Sequence, residues 1–126
     1  MRTTIIPALI AAAAAFVPGV ADAAPATEPA PGKIIFQRRC AACHSVLGDG
    51  IGPDLRGVFG RKSGGADGFR RYSPAMQKAG VVWDAPTLKR YLAAPSKMVP
   101  GNRMLFPGMT NASEIDQLVA FLKAYR

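Results

Sequence analysis

Histidine occurs once in these 126 residues and cysteine only twice. A structural zinc site needs four nitrogen or sulfur ligands, so the chain cannot supply one. A haem peroxidase that ligates its iron through histidine and also uses a distal histidine as acid–base group would need two, and the chain has one. Acidic residues are scarce as well: 8 stand against 16 basic ones, for a formal net charge of +8. No stretch alternates apolar and polar residues as a half-buried strand does. That absence also removes the βαβ setting in which a redox C-x-x-C pair would sit. The sequence contains no internal repeat and no nucleic-acid-binding motif, so the basic balance does not by itself indicate a polynucleotide partner.

The scarce residues are gathered in one place, Cys40-Ala41-Ala42-Cys43-His44. C-x-x-C-H is the attachment signature of a c-type haem. Two thiols three residues apart on a helical turn can each add across one porphyrin vinyl group. The tether then brings the adjacent imidazole to the iron. A single such motif implies one covalent haem.

Around this motif the chain divides into three parts. Residues 1–23 have the form of a secretory signal peptide: Arg2, an apolar segment from Ile5 to Val17, and the small-x-small site Ala21-Asp22-Ala23. The segment is short and interrupted by Pro7 and Pro18, which argues against a retained membrane span. Its removal takes away Arg2 and Asp22, one charge of each sign, and leaves the balance at +8. Residues 24–31 (A-P-A-T-E-P-A-P) form a Pro/Ala-rich flexible arm. Residues 32–126 form a single domain.

The predicted fold is all-α, with short helices and long loops wrapped around the cofactor. Helices are expected over residues 33–39, over 73–79 with Ser73 as cap and Gly80 as stop, and over 83–93 from Trp83, with Asp84 as cap. A last helix starts at Asn111 and buries Ile115, Leu118, Val119 and Leu122. Pro95 ends the third helix, and residues 96–108 read as a loop. About a hundred residues make a small core. The haem is therefore expected to be structural as well as functional, with the apo chain poorly folded.

Iron needs a second axial ligand besides His44. With no other histidine, a thioether is the remaining soft donor, and His/Met ligation raises a haem's potential. Met76 lies on a predicted helix. Met98, Met104 and Met109 lie in the Pro/Gly-rich loop, and spacing does not choose among them.

The landmarks Cys40, Cys43 and His44, then Gly52-Pro53-Asp54-Leu55, Gly60-Arg61-Lys62-Ser63-Gly64, Trp83, Tyr91-Leu92 and Pro100-Gly101-Asn102-Arg103-Met104 follow one another in order. Together they resemble class I c-type cytochromes, in particular the group of bacterial cytochrome c2 and mitochondrial cytochrome c. The likeness runs from Gly32 to the end. It implies that Met104 is the sixth ligand and that the Pro53 carbonyl accepts a hydrogen bond from His44. It further implies that Arg61, Tyr72 and Trp83 donate toward the haem propionates, and that Tyr91 lies near the Met104 sulfur. Gly32 and Phe36 would cross the last helix near Leu118 and Phe121. The chain departs from the pattern in a shorter loop between His44 and Pro53, in one extra residue between Phe69 and Tyr72, and in Met76 and Asn102 at inner positions of the methionine side.

The resemblance implies a monomeric periplasmic electron carrier, not an enzyme, that shuttles between a membrane donor and a terminal acceptor. A dedicated electron-accepting subunit of one periplasmic oxidase is the competing expectation. Lys33, Arg38, Arg39, Lys97 and Arg103 flank the motif or the Met104 loop. They would form a basic rim suited to acidic redox partners.

Overall fold

The computed structural model describes residues 28–44 and 50–126. The expected signal peptide, residues 24–27 of the arm and residues 45–49 lie outside the described residues. Five helices make up the described fold: α1 (Pro31–Arg39), α2 (Pro74–Lys78), α3 (Ala85–Ala93), α4 (Pro95–Met98) and α5 (Ala112–Ala124). Among the described residues there is no named strand, only an isolated antiparallel bridge between Lys62 and Val82. No helix there is long and apolar enough to cross a membrane.

α1 begins at Pro31, so the helix takes over the last residue assigned to the arm. Proline costs nothing at this position, because the first N–H groups of a helix have no intrahelical partner. The backbone winds on past Arg39: Cys40 and Ala41 both donate to the Phe36 carbonyl at 2.9 Å, and Cys43 and His44 donate to Cys40 at 3.1 and 2.9 Å. The C-x-x-C-H segment is thus a turn continuing directly from a packed helix.

α1 packs across α5, and Gly32 sets how closely. A β-carbon there would run into the Gln117 carbonyl oxygen and come within 2.7 Å of the Phe121 β-carbon. Phe36 meets Phe121 and Tyr125 at ring-centroid distances of 5.3 and 5.2 Å. On α5, Ile115, Leu118, Val119 and Leu122 recur at helical spacing and are buried, Leu118 completely. Asn111 caps the helix by accepting from the Glu114 N–H at 3.2 Å.

α3 starts two residues later than the expected Trp83. Trp83 is held instead in backbone pairing, donating to Arg61 at 2.9 Å and accepting from Gly60 at 2.6 Å. Asp84 is extended and closes a reciprocal capping box with Thr87, at 2.9 and 2.8 Å. The hydrogen bonds from Thr87 hold the Asp84 carboxyl below its ordinary pKa. A depressed native pKa stabilises the fold above the unfolded value, near 4, and that contribution is lost as pH falls through the native value. Asparagine caps about as well without charge. Asp84→Asn should therefore melt below the parent at neutral pH, and the two melting temperatures should converge in strong acid.

The expected loop after Pro95 contains a further short helix. Pro95 forces Ala94 out of helical geometry, to φ −153° and ψ 75°, and then serves as the first residue of α4. Residues 99–111 are not helical. Within this segment Met109 is buried and donates its N–H to Leu92 at 2.8 Å, which pins the returning chain to the end of α3.

Candidate haem-binding site

A cavity of about 340 Å³ opens into the centre of the domain. The C-x-x-C-H turn, the loop from Ile51 to Leu55, the segment from Phe69 to Met76, the stretch from Arg103 to Phe106 and inner faces of α3 and α5 all contribute to its lining. Cys43, Ile51, Arg103 and Leu105 line it and are exposed, so it reaches the surface there. All nine residues expected at the site contribute: Cys40, Cys43, His44, Pro53, Arg61, Tyr72, Trp83, Tyr91 and Met104. Of the four methionines considered, only Met76 and Met104 line it. Met98 and Met109 do not.

His44 donates from Nδ1 to the Pro53 carbonyl at 2.7 Å. That bond fixes the tautomer and leaves the Nε2 lone pair for another partner. Burial pulls the His44 pKa below its ordinary value, opposed by the Pro53 hydrogen bond and aided by the positive charge of Arg61. The ring is therefore neutral near pH 7. Gly52 lies flat beneath it: a β-carbon there would come within 2.5 Å of Cε1 and 2.8 Å of Nδ1. The Gly52 N–H donates to the Cys43 carbonyl at 2.8 Å, which closes the loop over the turn.

Burial also pushes the Cys40 thiol up to about 11, partly offset by Arg39. Such a thiol resists becoming a thiolate and suits a neutral thioether. No cluster of three or more His, Cys, Asp or Glu residues competes for a metal among the described residues.

Tyr91 donates its hydroxyl to the Met104 sulfur at 3.7 Å. Its ring packs on Trp83 with centroids 4.9 Å apart. Burial raises the Tyr91 pKa to about 12, so it stays a donor. Asn102 folds the methionine loop. It accepts from the Met104 N–H at 2.9 Å and donates to Val99 at 2.8 Å. Sequence reasoning marked Asn102 only as a departure from a pattern. The turn composition Pro100-Gly101-Asn102 was the available signal for its role.

The three residues expected to face the propionates are anchored differently. Arg61 donates to the Asp54 and Arg56 carbonyls at 2.8 and 3.3 Å. Tyr72 accepts from the Ala66 N–H at 3.2 Å, which leaves its own proton to give. Trp83 is a buried ring in the lining.

The donor set fits a haem tethered through two thioethers: two thiols on one turn, an imidazole with one nitrogen free, a thioether in the same cavity, and apolar surroundings. The Cytochrome c family model matches residues 29–125. The chain belongs to the cytochrome c family. Its cofactor is one covalently bound haem c with iron. Cytochrome c2 of Rhodoblastus acidophilus is 42% identical over 104 residues, covering 80% of this chain and 95% of that one. Cytochrome c of Chlamydomonas reinhardtii is 46% identical over 103 residues, covering 79% and 91%. The solved structure of cytochrome cH from Methylobacterium extorquens superposes with a TM-score of 0.71 at 45% identity, over 75% of this chain and 96% of that one. Like these cytochromes c, the chain is a haem c electron carrier with the small all-α fold of the family. The family's cofactor makes Cys40 and Cys43, the only thiols of the chain, the residues available for attachment.

Proposed function

We propose that this cytochrome c is a monomeric, periplasmic one-electron carrier. Its haem is attached through Cys40 and Cys43 and ligated axially by His44 and Met104. The observation that carries the reading is a pair of donor atoms in one cavity, each fixed by its own hydrogen bond: His44 by Pro53 and the Met104 sulfur by Tyr91.

Bound haem supplies the ferric/ferrous couple. The rest falls to the chain. His44 and Met104 hold positions set by the surrounding backbone, so little rearranges when charge changes. Leu88, Leu92, Leu118 and Leu122 keep water from the cavity interior. Arg61, Tyr72 and Trp83, all in the cavity lining, would hold the haem propionates.

Export is inferred from residues 1–23, with residues 24–30 as an arm ahead of the first helix. The partners are redox proteins with acidic docking faces, reached by way of the basic rim. Several acidic residues are engaged internally: Asp54 with Arg56, Glu114 with Arg39, and Asp116 with Lys89. The remaining positive field steers encounter.

The test uses holoprotein isolated from periplasm. Its mass should equal the chain from Ala24 plus one haem, it should titrate reversibly with a single electron, and its reduction rate by an acidic partner should fall as ionic strength rises. A colourless product with two titratable thiols would overturn the haem assignment. A rate indifferent to salt would overturn the steering.

A further inference from the structure

The mouth of the cavity carries a contact that the ligand geometry does not use. Arg71 lines the cavity, and its Nη2 donates to the Gly50 carbonyl. Gly50 lies two residues before Gly52, which supports the His44 ring. The Arg71 guanidinium also sits 5.7 Å from the centre of the Phe69 ring. That ring stands edge-on to Tyr72 at 4.8 Å, so the platform beneath the cation is fixed. On its other side, the Arg71 carbonyl accepts from Arg103 Nη1 at 3.3 Å. Arg103 directly precedes Met104. One residue therefore joins the loop under His44 to the loop that carries the methionine. Nearby, Gly101 abuts Ala75: a β-carbon on that glycine would lie 3.3 Å from the alanine methyl group. The methionine loop thus rests on the same segment, 71–76, from which the arginine reaches out.

We infer that Arg71 is a positioning residue: it straps the Met104 loop to the His44 side of the cavity mouth and sets how readily an outside ligand displaces the Met104 sulfur. This rests on the assignment of Met104 as axial ligand. The argument is energetic. Displacing the sulfur requires the 99–104 loop to move outward, and the Arg103 bond to the Arg71 backbone carbonyl and the Gly101–Ala75 contact carry segment 71–76 with it. That movement breaks the bond from the Arg71 guanidinium to Gly50, which is the contact that Arg71→Ala removes while the backbone carbonyl stays. A hydrogen bond from a charged donor contributes more than a neutral one, and exposure at the mouth reduces that gain. The closed state should therefore be favoured by a factor of roughly ten over a chain without the strap.

The experiment is imidazole titration of the ferric holoprotein, following loss of the near-infrared sulfur-to-iron band, for the parent, Arg71→Ala and Arg71→Lys. Arg71→Ala should bind imidazole roughly tenfold more tightly, with the melting temperature changed little. Arg71→Lys keeps one donor and a cation over Phe69, so it should fall between the two. Equal imidazole affinity in all three proteins overturns the strap, as does a variant that melts much earlier without binding imidazole better. A parent that lacks the near-infrared band overturns the Met104 assignment, and this inference with it.

Discussion

Replacing both Cys40 and Cys43 by alanine should leave a colourless chain without cooperative structure. The cavity accounts for the size of the effect. Leaving an apolar space of about 340 Å³ unfilled costs about 8 kcal/mol at roughly 24 cal/mol per Å³. That is an upper figure, because the space opens to the surface at Cys43 and Leu105. Small domains are stable by only about 5–15 kcal/mol, so a loss approaching that upper figure removes half or more of the margin. The residues that would close the gap belong to separate segments and include Trp83, Leu88, Tyr91 and Leu118. None of them can collapse inward without abandoning α3, α5 or the backbone pairing of Trp83 with Gly60 and Arg61. The α1–α5 contact at Gly32 and Phe36 lies outside the cavity lining and is the part expected to survive as residual helix. The measurement is far-UV circular dichroism with thermal melting, on double variant and parent. Parent-like helicity and a sharp melt in the double variant would show that the fold stands without its cofactor.

What could be read from the sequence was what local chemistry dictates. The haem motif is five contiguous residues. Ser73, Asp84 and Asn111 announce their helices because each side chain caps backbone only three residues away. Proline and glycine marked most of the breaks. The misreadings fall where distant backbone decides. Trp83 looks like a helix start, but its N–H and carbonyl are claimed by Arg61 and Gly60. The segment after Pro95 looks like plain loop, yet the proline that ends α3 also opens α4. The choice of methionine was not local either. Met98, Met104 and Met109 share one loop with similar surroundings in sequence. The family resemblance, not the local composition, singles out Met104; in the fold α3 brings Tyr91 to that sulfur and Leu92 takes the backbone of Met109. Arg71 carried no signal of its own beyond lengthening the step from Phe69 to Tyr72.

Met104→Ala should abolish the near-infrared sulfur-to-iron band and lower the reduction potential by on the order of 0.2 V, a fraction of the roughly 0.8 V that axial ligation spans. A neutral thioether favours ferrous iron, and water or hydroxide in its place favours ferric. The fold should persist, unlike in the double cysteine variant. The Met104 backbone is held by Asn102, which the substitution leaves alone, and the side chain belongs to none of the α1–α5 contacts. Tyr91 loses its sulfur partner, and with a pKa of about 12 its hydroxyl must find water entering the enlarged cavity. Water in the cavity weakens the preference for the lower charge state further, in the same direction as ligand loss. The control is Met76→Leu, which removes the other methionine sulfur lining the cavity while keeping an apolar side chain of similar volume on α2. The band should survive Met76→Leu and vanish in Met104→Ala. The reverse pattern would transfer the sixth position to Met76, and with it the task now given to Asn102 and Tyr91 of holding the ligand in place.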